Sequence, residues 1–407
     1  MDTIECQSHD ALQQPKTGTT FLRTCFNGLN AMSGVGILSI PYALSQGGWM
    51  SLILLFMVAI ICFYTALLLR RCMDANPLTN TYPDVGELAF GKKGRTIVSM
   101  FMYLELFLVA VEFLILQGDN LDKLFPGVSF IFAGKKLFVL LTALIIWPTL
   151  CLTNLGLLAY VSVGGVFASF IMVGSVFWSG AAADGVGFEE KGELWIWSSL
   201  PTAISLYTFC YCGHAVFPTL NNSMKDKIHF PKVLFVCFLI STVIYVSMAI
   251  EGYLMFGGSL VSQVTLNLPS QLMSSKIAIY TTLVGPITKY ALVICPIATA
   301  IEDMFPFSRR KVITILIRTA ILLITVVVAM AVPYFGYVMT FMGAFLGVGV
   351  SIVLPCLCYL KIHKDMKRFG LEYMIIVIIL MMGIFVSIVG TYTSIRNIVM
   401  HLLSSSS

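Results

Sequence analysis

Phe26-Asn27-Gly28-Leu29-Asn30-Ala31-Met32-Ser33-Gly34-Val35-Gly36-Ile37-Leu38-Ser39-Ile40-Pro41-Tyr42-Ala43-Leu44 lies in an apolar run long enough to cross a bilayer, yet helix breakers interrupt it. Each glycine weakens a helix by about 1 kcal/mol relative to alanine. The proline removes a backbone donor. A second stretch repeats the pattern: Tyr207-Thr208-Phe209-Cys210-Tyr211-Cys212-Gly213-His214-Ala215-Val216-Phe217-Pro218. Gly36 and Gly213 each stand five residues before a proline, Pro41 and Pro218. Polar side chains accompany the glycines in both places: Asn27, Asn30 and Ser33 in the first, Tyr207, Thr208, Tyr211 and His214 in the second.

The surrounding composition says what such breaks sit in. Of 407 residues, 58% are hydrophobic and 11% charged, where a soluble domain carries about 25% charged residues. A chain this apolar cannot cover its surface in water, so lipid is its solvent. In lipid every backbone polar group needs an internal partner, which leaves helices or a closed barrel. The runs are continuous, as in 313–330 and 373–389, without the alternation of barrel strands. The expectation is an all-α polytopic membrane protein. With about 20 apolar residues per span, eleven segments qualify, near 22–45, 49–70, 96–117, 136–153, 156–180, 198–222, 232–256, 277–302, 311–332, 334–360 and 371–396. Residues 72–95 are hydrophilic, and Tyr82-Pro83-Asp84-Val85-Gly86-Glu87 predicts a short surface helix there. Gly343, Gly347 and Gly349, and Gly164 and Gly165, read as close-packing surfaces between helices.

Orientation follows from the Lys/Arg bias of short loops. Of 25 Lys and Arg residues, 17 fall on the N-terminal side of the membrane and six on the other, with Lys289 and Arg318 inside spans. That places the N-terminus in the cytoplasm and, with eleven spans, the C-terminus in a lumen or outside. Residues 1–20 are polar and the first apolar run is a full span, so no cleavable signal peptide is expected. The eleven cysteines sit mostly in apolar runs and read as small hydrophobes. They lack metal-ligand spacing, and no cofactor is expected. The net charge of +5 lies in short loops and is not a nucleic-acid signal.

The two interrupted spans are five apart. Paired breaks at corresponding positions of two halves are the sequence signature of a transporter's binding site. The halves are 21–180 and 198–360, oppositely oriented because five is odd, with 1–20 a cytoplasmic tail and 371–397 an appended helix. A helix unwound at mid-membrane exposes N–H groups at the start of its second half, which suit a carboxylate. The end of its first half exposes carbonyls, which suit a cation. Asn30, Ser33, Gly34, Val35 and Gly36 therefore offer a carboxylate site. Carbonyls around Tyr207, Phe209, Cys210, Tyr211 and Gly213 can accept from an amine. Together they fit a zwitterion, an α-amino acid of unspecified side chain.

The segment Phe26 to Leu44, with Gly47-Gly48-Trp49, Cys210 to Pro218 and Gly285-Pro286-Ile287-Thr288-Lys289-Tyr290, resembles the amino acid/auxin permease family, and more narrowly the plant vacuolar amino acid transporters. The resemblance runs from Phe21 to the end of the chain. It implies a LeuT-like fold of five-plus-five inverted repeats with broken helices 1 and 6 plus an eleventh helix. It also implies transport of neutral amino acids coupled to protons as symport or antiport, with substrate at helices 1 and 6. A vacuolar membrane is implied, with the plasma membrane as alternative. Auxin or a small amine as cargo, or a nutrient sensor on the same fold, are the other readings within that resemblance.

Ionisable residues inside spans are costly and usually functional. Lys289 lies deep in the eighth segment and is the foremost candidate for coupling. It would replace the second cation of sodium-coupled carriers or form an ion pair with a glutamate of the third or seventh segment. Glu105 and Glu112, seven apart, share a helix face; they are coupling candidates or packing groups. His214 beside the second break is either a titrating group or a neutral hydrogen-bonding one. Glu251 and Arg318 lie nearer the span ends, Arg318 snorkelling or paired. No nucleophile elbow, P-loop or metal cluster points to an enzyme. A channel would need a polar stripe along several helices rather than polar residues gathered at two breaks.

Overall fold

The computed structural model describes residues 18–128, 134–151, 158–182, 184–304, 311–332, 335–364 and 370–406. Most of the predicted tail and the basic residues Lys16, Arg309, Arg310, Lys367 and Arg368 lie outside that set. The described residues are almost entirely helical. Eight helical stretches are long and apolar enough to cross a membrane, with shorter apolar helices beside them. The protein is thus an all-α polytopic membrane protein, as its composition requires.

Both predicted interruptions are present. The first segment is two helices, α1 (Phe21–Met32) and α2 (Gly36–Gly47), separated by Ser33, Gly34 and Val35. The later one is α7 (Leu200–Cys210) and α8 (Phe217–Ser223), separated by residues 211–216. Between them lie α3 (Ser51–Asp74), α4 (Tyr82–Leu124), α5 (Gly134–Cys151) and α6 (Leu158–Ala181). After them come α9 (Phe230–Phe256), the short α10 (Val264–Asn267), α11 (Met273–Met304), α12 (Lys311–Ala331), α13 (Phe335–Phe341), α14 (Leu354–Ile362) and α15 (Leu371–Ser406). Two π-helical stretches, Met342–Gly347 and Gly349–Val353, join α13 to α14.

The surface helix expected at Tyr82 exists and is fused to a membrane helix. Thr81 and Asp84 form a capping box at its start, which satisfies two of the orphan N–H groups of a helix end. Arg95 reaches back to Asp84 at 2.9 Å and Glu87 at 2.6 Å. Between the two parts Gly91 has φ 66° and ψ −159°, a conformation essentially reserved for glycine. The chain turns there from the surface helix into the long run that ends at Leu124. Tyr82 anchors the surface part by donating to Val350 O at 2.7 Å.

The broken helices occupy the centre. α2 packs against α7 and α9, α1 against α9 and α6, and α11 against α6 and α4. Ile40, Ala43 and Leu44 of α2 are fully buried. At the other extreme, α15 buries 17% of its most apolar stretch and the helix through 335–362 buries 72%, so α15 lies at the periphery facing lipid. The glycines of that inner helix are packing sites, as expected. Gly343 abuts the backbone of Ser205, Gly347 faces Cys212 and Thr208, and Gly349 faces the Phe101 ring. Gly165 likewise sits against the Asn30 side chain, but Gly164 has nothing within 4 Å of the Cβ it lacks. The paired reading of those two glycines is corrected accordingly: adjacent helical residues point about 100° apart, so only one of them can face the neighbour.

On the N-terminal side, a short parallel bridge pairs Thr19 with Met224, just past α8. Thr19 N donates to Ser223 O at 2.7 Å, and Lys225 N donates to Thr19 O at 3.0 Å. On the other side, Lys123 at the end of α4 hydrogen-bonds the carbonyls of Thr265, Leu266 and Leu268 around α10. Asn120 and Asp119 hold the buried Gln263 beside it, at 2.8 and 2.6 Å.

Candidate substrate site

The α1 break leaves a set of backbone donors with unspent capacity. Ser33 N closes the last turn of α1 on Leu29 O at 2.7 Å, and Gly34 N folds back to Met32 O at 2.7 Å. Val35 caps α2 without a side-chain hydrogen bond. The N–H groups of Val35, Gly36 and Ile37 then have no acceptor among the described residues. The Ser33 hydroxyl, 4% exposed, has none either. These donors crowd the start of a helix, where the macrodipole adds roughly half a positive charge.

The carbonyl end of α1 is occupied by the protein itself. Lys289 Nζ of α11 donates to Asn30 O at 3.0 Å and lies 3.3 Å from Ser33 O. Among the described residues no carboxylate pairs with it. The ion pair considered from sequence is therefore not what holds this lysine. Tyr245 of α9 is placed to do the same service for either break. Its hydroxyl lies 2.7 Å from Met32 O and 2.9 Å from Cys210 O. Gly36 completes the junction. Its missing Cβ would stand 2.8 Å from Cys210 Sγ, and that thiol reaches Gly36 O at 3.4 Å.

A cavity of about 60 Å³ opens beside the α1 break. Ser33, Gly34 and Val35 form one wall and Lys289 another, with Phe113 of α4, Ser169 of α6 and Thr282 of α11 among the remaining lining groups. Of the residues expected from sequence, Ser33, Gly34, Val35 and Lys289 thus meet at one place. Asn30 and Gly36 flank it through Lys289 and Cys210. Tyr207, Phe209, Cys210, Tyr211 and Gly213 are not on its wall. Tyr207 donates to Ser51 Oγ at 2.9 Å, and Tyr211 pairs with Thr242 at 2.9 Å. The contributions of α6 and of Tyr245 were not foreseen. A lone tyrosine or serine in an apolar run gives no local signal of what lies opposite.

The remaining ionisable residues sit in different environments. Glu105 Oε1 accepts from the Cys212 thiol at 2.7 Å, beside Ser351 of the π-helical stretch. Glu112 is fully buried with neither carboxyl oxygen hydrogen-bonded. His214 is also fully buried, its Nε2 3.1 Å from both Thr65 Oγ1 and Cys62 O and its Nδ1 without a partner. That environment suits the neutral, hydrogen-bonding form. Arg318 is paired rather than snorkelling, 3.6 Å from Glu302 and donating to Leu150 O at 3.0 Å. Glu251 has one oxygen, Oε2, without a partner.

Two discontinuous helices meeting in a polytopic helical protein, with helix-end donors facing a small cavity, define a membrane transporter rather than an enzyme. Comparison with known proteins agrees. The family described as transmembrane amino acid transporter protein matches residues 17–396. Amino acid transporter AVT1I of Arabidopsis thaliana is 50% identical over 97% of this chain and 99% of its own length. Amino acid transporter AVT1J of the same plant is 50% identical over 94% and 92%, and AVT1B is 43% identical over 94% and 72%. The chain belongs to the transmembrane amino acid transporter family.

Proposed function

We propose that the protein is a proton-coupled secondary transporter of neutral amino acids, working by alternating access in the vacuolar membrane. In this reading eleven spans form two inverted five-helix repeats and a peripheral eleventh helix, with the N-terminus in the cytosol. The substrate carboxylate docks on the N–H groups of Val35, Gly36 and Ile37 and the Ser33 hydroxyl. Lys289 stands on the α1 carbonyls where a metal cation would otherwise be held, and carries the coupling proton. The unit of α1, α2, α3, α7, α8 and α9 rocks against α4, α5, α11 and α12. The observation that carries the reading is the pairing at one break: free helix-start donors on one side, and a lysine ammonium on the helix-end carbonyls on the other.

The test is uptake of labelled amino acids by proteoliposomes with and without a proton gradient. Wild type accumulates substrate only when the gradient is imposed. Lys289→Ala removes the proton carrier and abolishes the gradient dependence, by tenfold or more. Unchanged uptake and coupling in that variant would refute the assignment of Lys289.

A further inference from the structure

The amine half of a zwitterion needs an acceptor, and several of the carbonyls expected to supply it already hold a donor. Thr208 O and Phe209 O accept from Tyr211 N and Cys212 N, each at 3.1 Å. Cys210 O faces the Tyr245 hydroxyl. On the α1 side, Asn30 O and Ser33 O hold Lys289, and Met32 O holds Gly34 N and Tyr245.

Unspent hydrogen-bonding capacity sits on α4. Both oxygens of Glu112 are buried and lack a partner. A buried carboxyl without hydrogen bonds is expensive, which makes an ionisable group inside a membrane helix a functional candidate by default. Its position is also telling. Phe113, its neighbour, and Leu116, one turn further along α4, both line the cavity. Cys210, the residue packed on Gly36, lies within electrostatic reach of it. Glu112 is not itself on the cavity wall; it stands one helical turn before the lining residue Leu116, near Cys210 of α7, while Lys289 stands on the α11 wall.

We infer that Glu112 receives the substrate's ammonium group. The inference rests on the proposed transport of α-amino acids and adds the second anchor of the zwitterion. Carboxylate goes to the start of α2 and ammonium to Glu112, so recognition of both charges spans the α1 break. Loss of the ammonium from a ligand then leaves Glu112 without its partner, and the site rejects plain carboxylic acids.

Tracer counterflow tests it. Wild-type protein and Glu112→Gln in proteoliposomes exchange labelled alanine, with unlabelled alanine or propionate as competitor. Where another amino acid exchanges faster, that amino acid and its deaminated acid replace the pair. Wild type is expected to prefer alanine over propionate by 100-fold or more, and Glu112→Gln to lose at least tenfold of that preference. A structural defect would weaken both competitors alike and leave their ratio unchanged. An unchanged ratio overturns the assignment, whatever happens to the rate. Should the variant exchange nothing, the same ratio is read from thermal stabilisation of the purified protein by each compound. Failure of wild type to exchange any of the twenty amino acids overturns the transport reading itself, which is a separate outcome.

Discussion

Tyr245 carries one proton and faces two carbonyls, Met32 O at 2.7 Å and Cys210 O at 2.9 Å. Buried carbonyls without a donor cost about 1–3 kcal/mol, so this hydroxyl stabilises one broken helix end at a time and stays within reach of the other. Tyr245→Phe keeps the ring, which packs edge-on against Tyr211, and removes only the donor. We expect a loss of about 1–3 kcal/mol, seen as earlier thermal unfolding in detergent, together with slower uptake. Normal stability and uptake in this variant would show that the hydroxyl ties nothing. At this scale the sequence was informative about which residues matter at the first break, because glycine, serine and proline act locally. It was silent about Tyr245, whose importance exists only through residues 213 and 35 positions away in the chain.

Among the elements, the contact between α2 and α7 depends on Gly36. A side chain there meets Cys210 Sγ at 2.8 Å and Cys210 Cα at 3.2 Å. Gly36→Ala should lower uptake at least tenfold. Trimming the opposing residue with Cys210→Ala should restore part of it, giving a coupling of about 0.5–3 kcal/mol in a double-mutant cycle. Independent, additive losses would contradict direct packing. Gly91 is the corresponding test away from the site. Gly91→Ala forces a side chain into a glycine-only conformation and should cost about 1–3 kcal/mol in unfolding experiments while leaving substrate affinity unchanged. The breaks and the surface helix at Tyr82 were legible because helix breakers and a short polar stretch between apolar runs are local signals. The position of the cavity between α1, α4, α6 and α11 was not, since it is set by which faces of four distant helices meet. The second break accordingly drew attention to Tyr207 and Tyr211, whose hydroxyls serve as ties to α3 and α9.

For the whole molecule, the composition alone selects lipid as the solvent, and the Lys/Arg bias selects an orientation. Epitope tags at the two ends of the chain, probed by protease in sealed vesicles, test the eleven-span reading. One tag should be protected and the other cleaved, and protection of both or neither would require an even number of crossings. The same scale gives meaning to the strand pairing of Thr19 with the chain after α8. Its two backbone bonds sew the entrance of α1 to the exit of α8. A swing of α1 away from α9 and α6 drags α8 along or unpicks the seam. Under the proposed alternating access, the two half-helices are yoked like shutters on one bar and swing as a single leaf for as long as that seam holds.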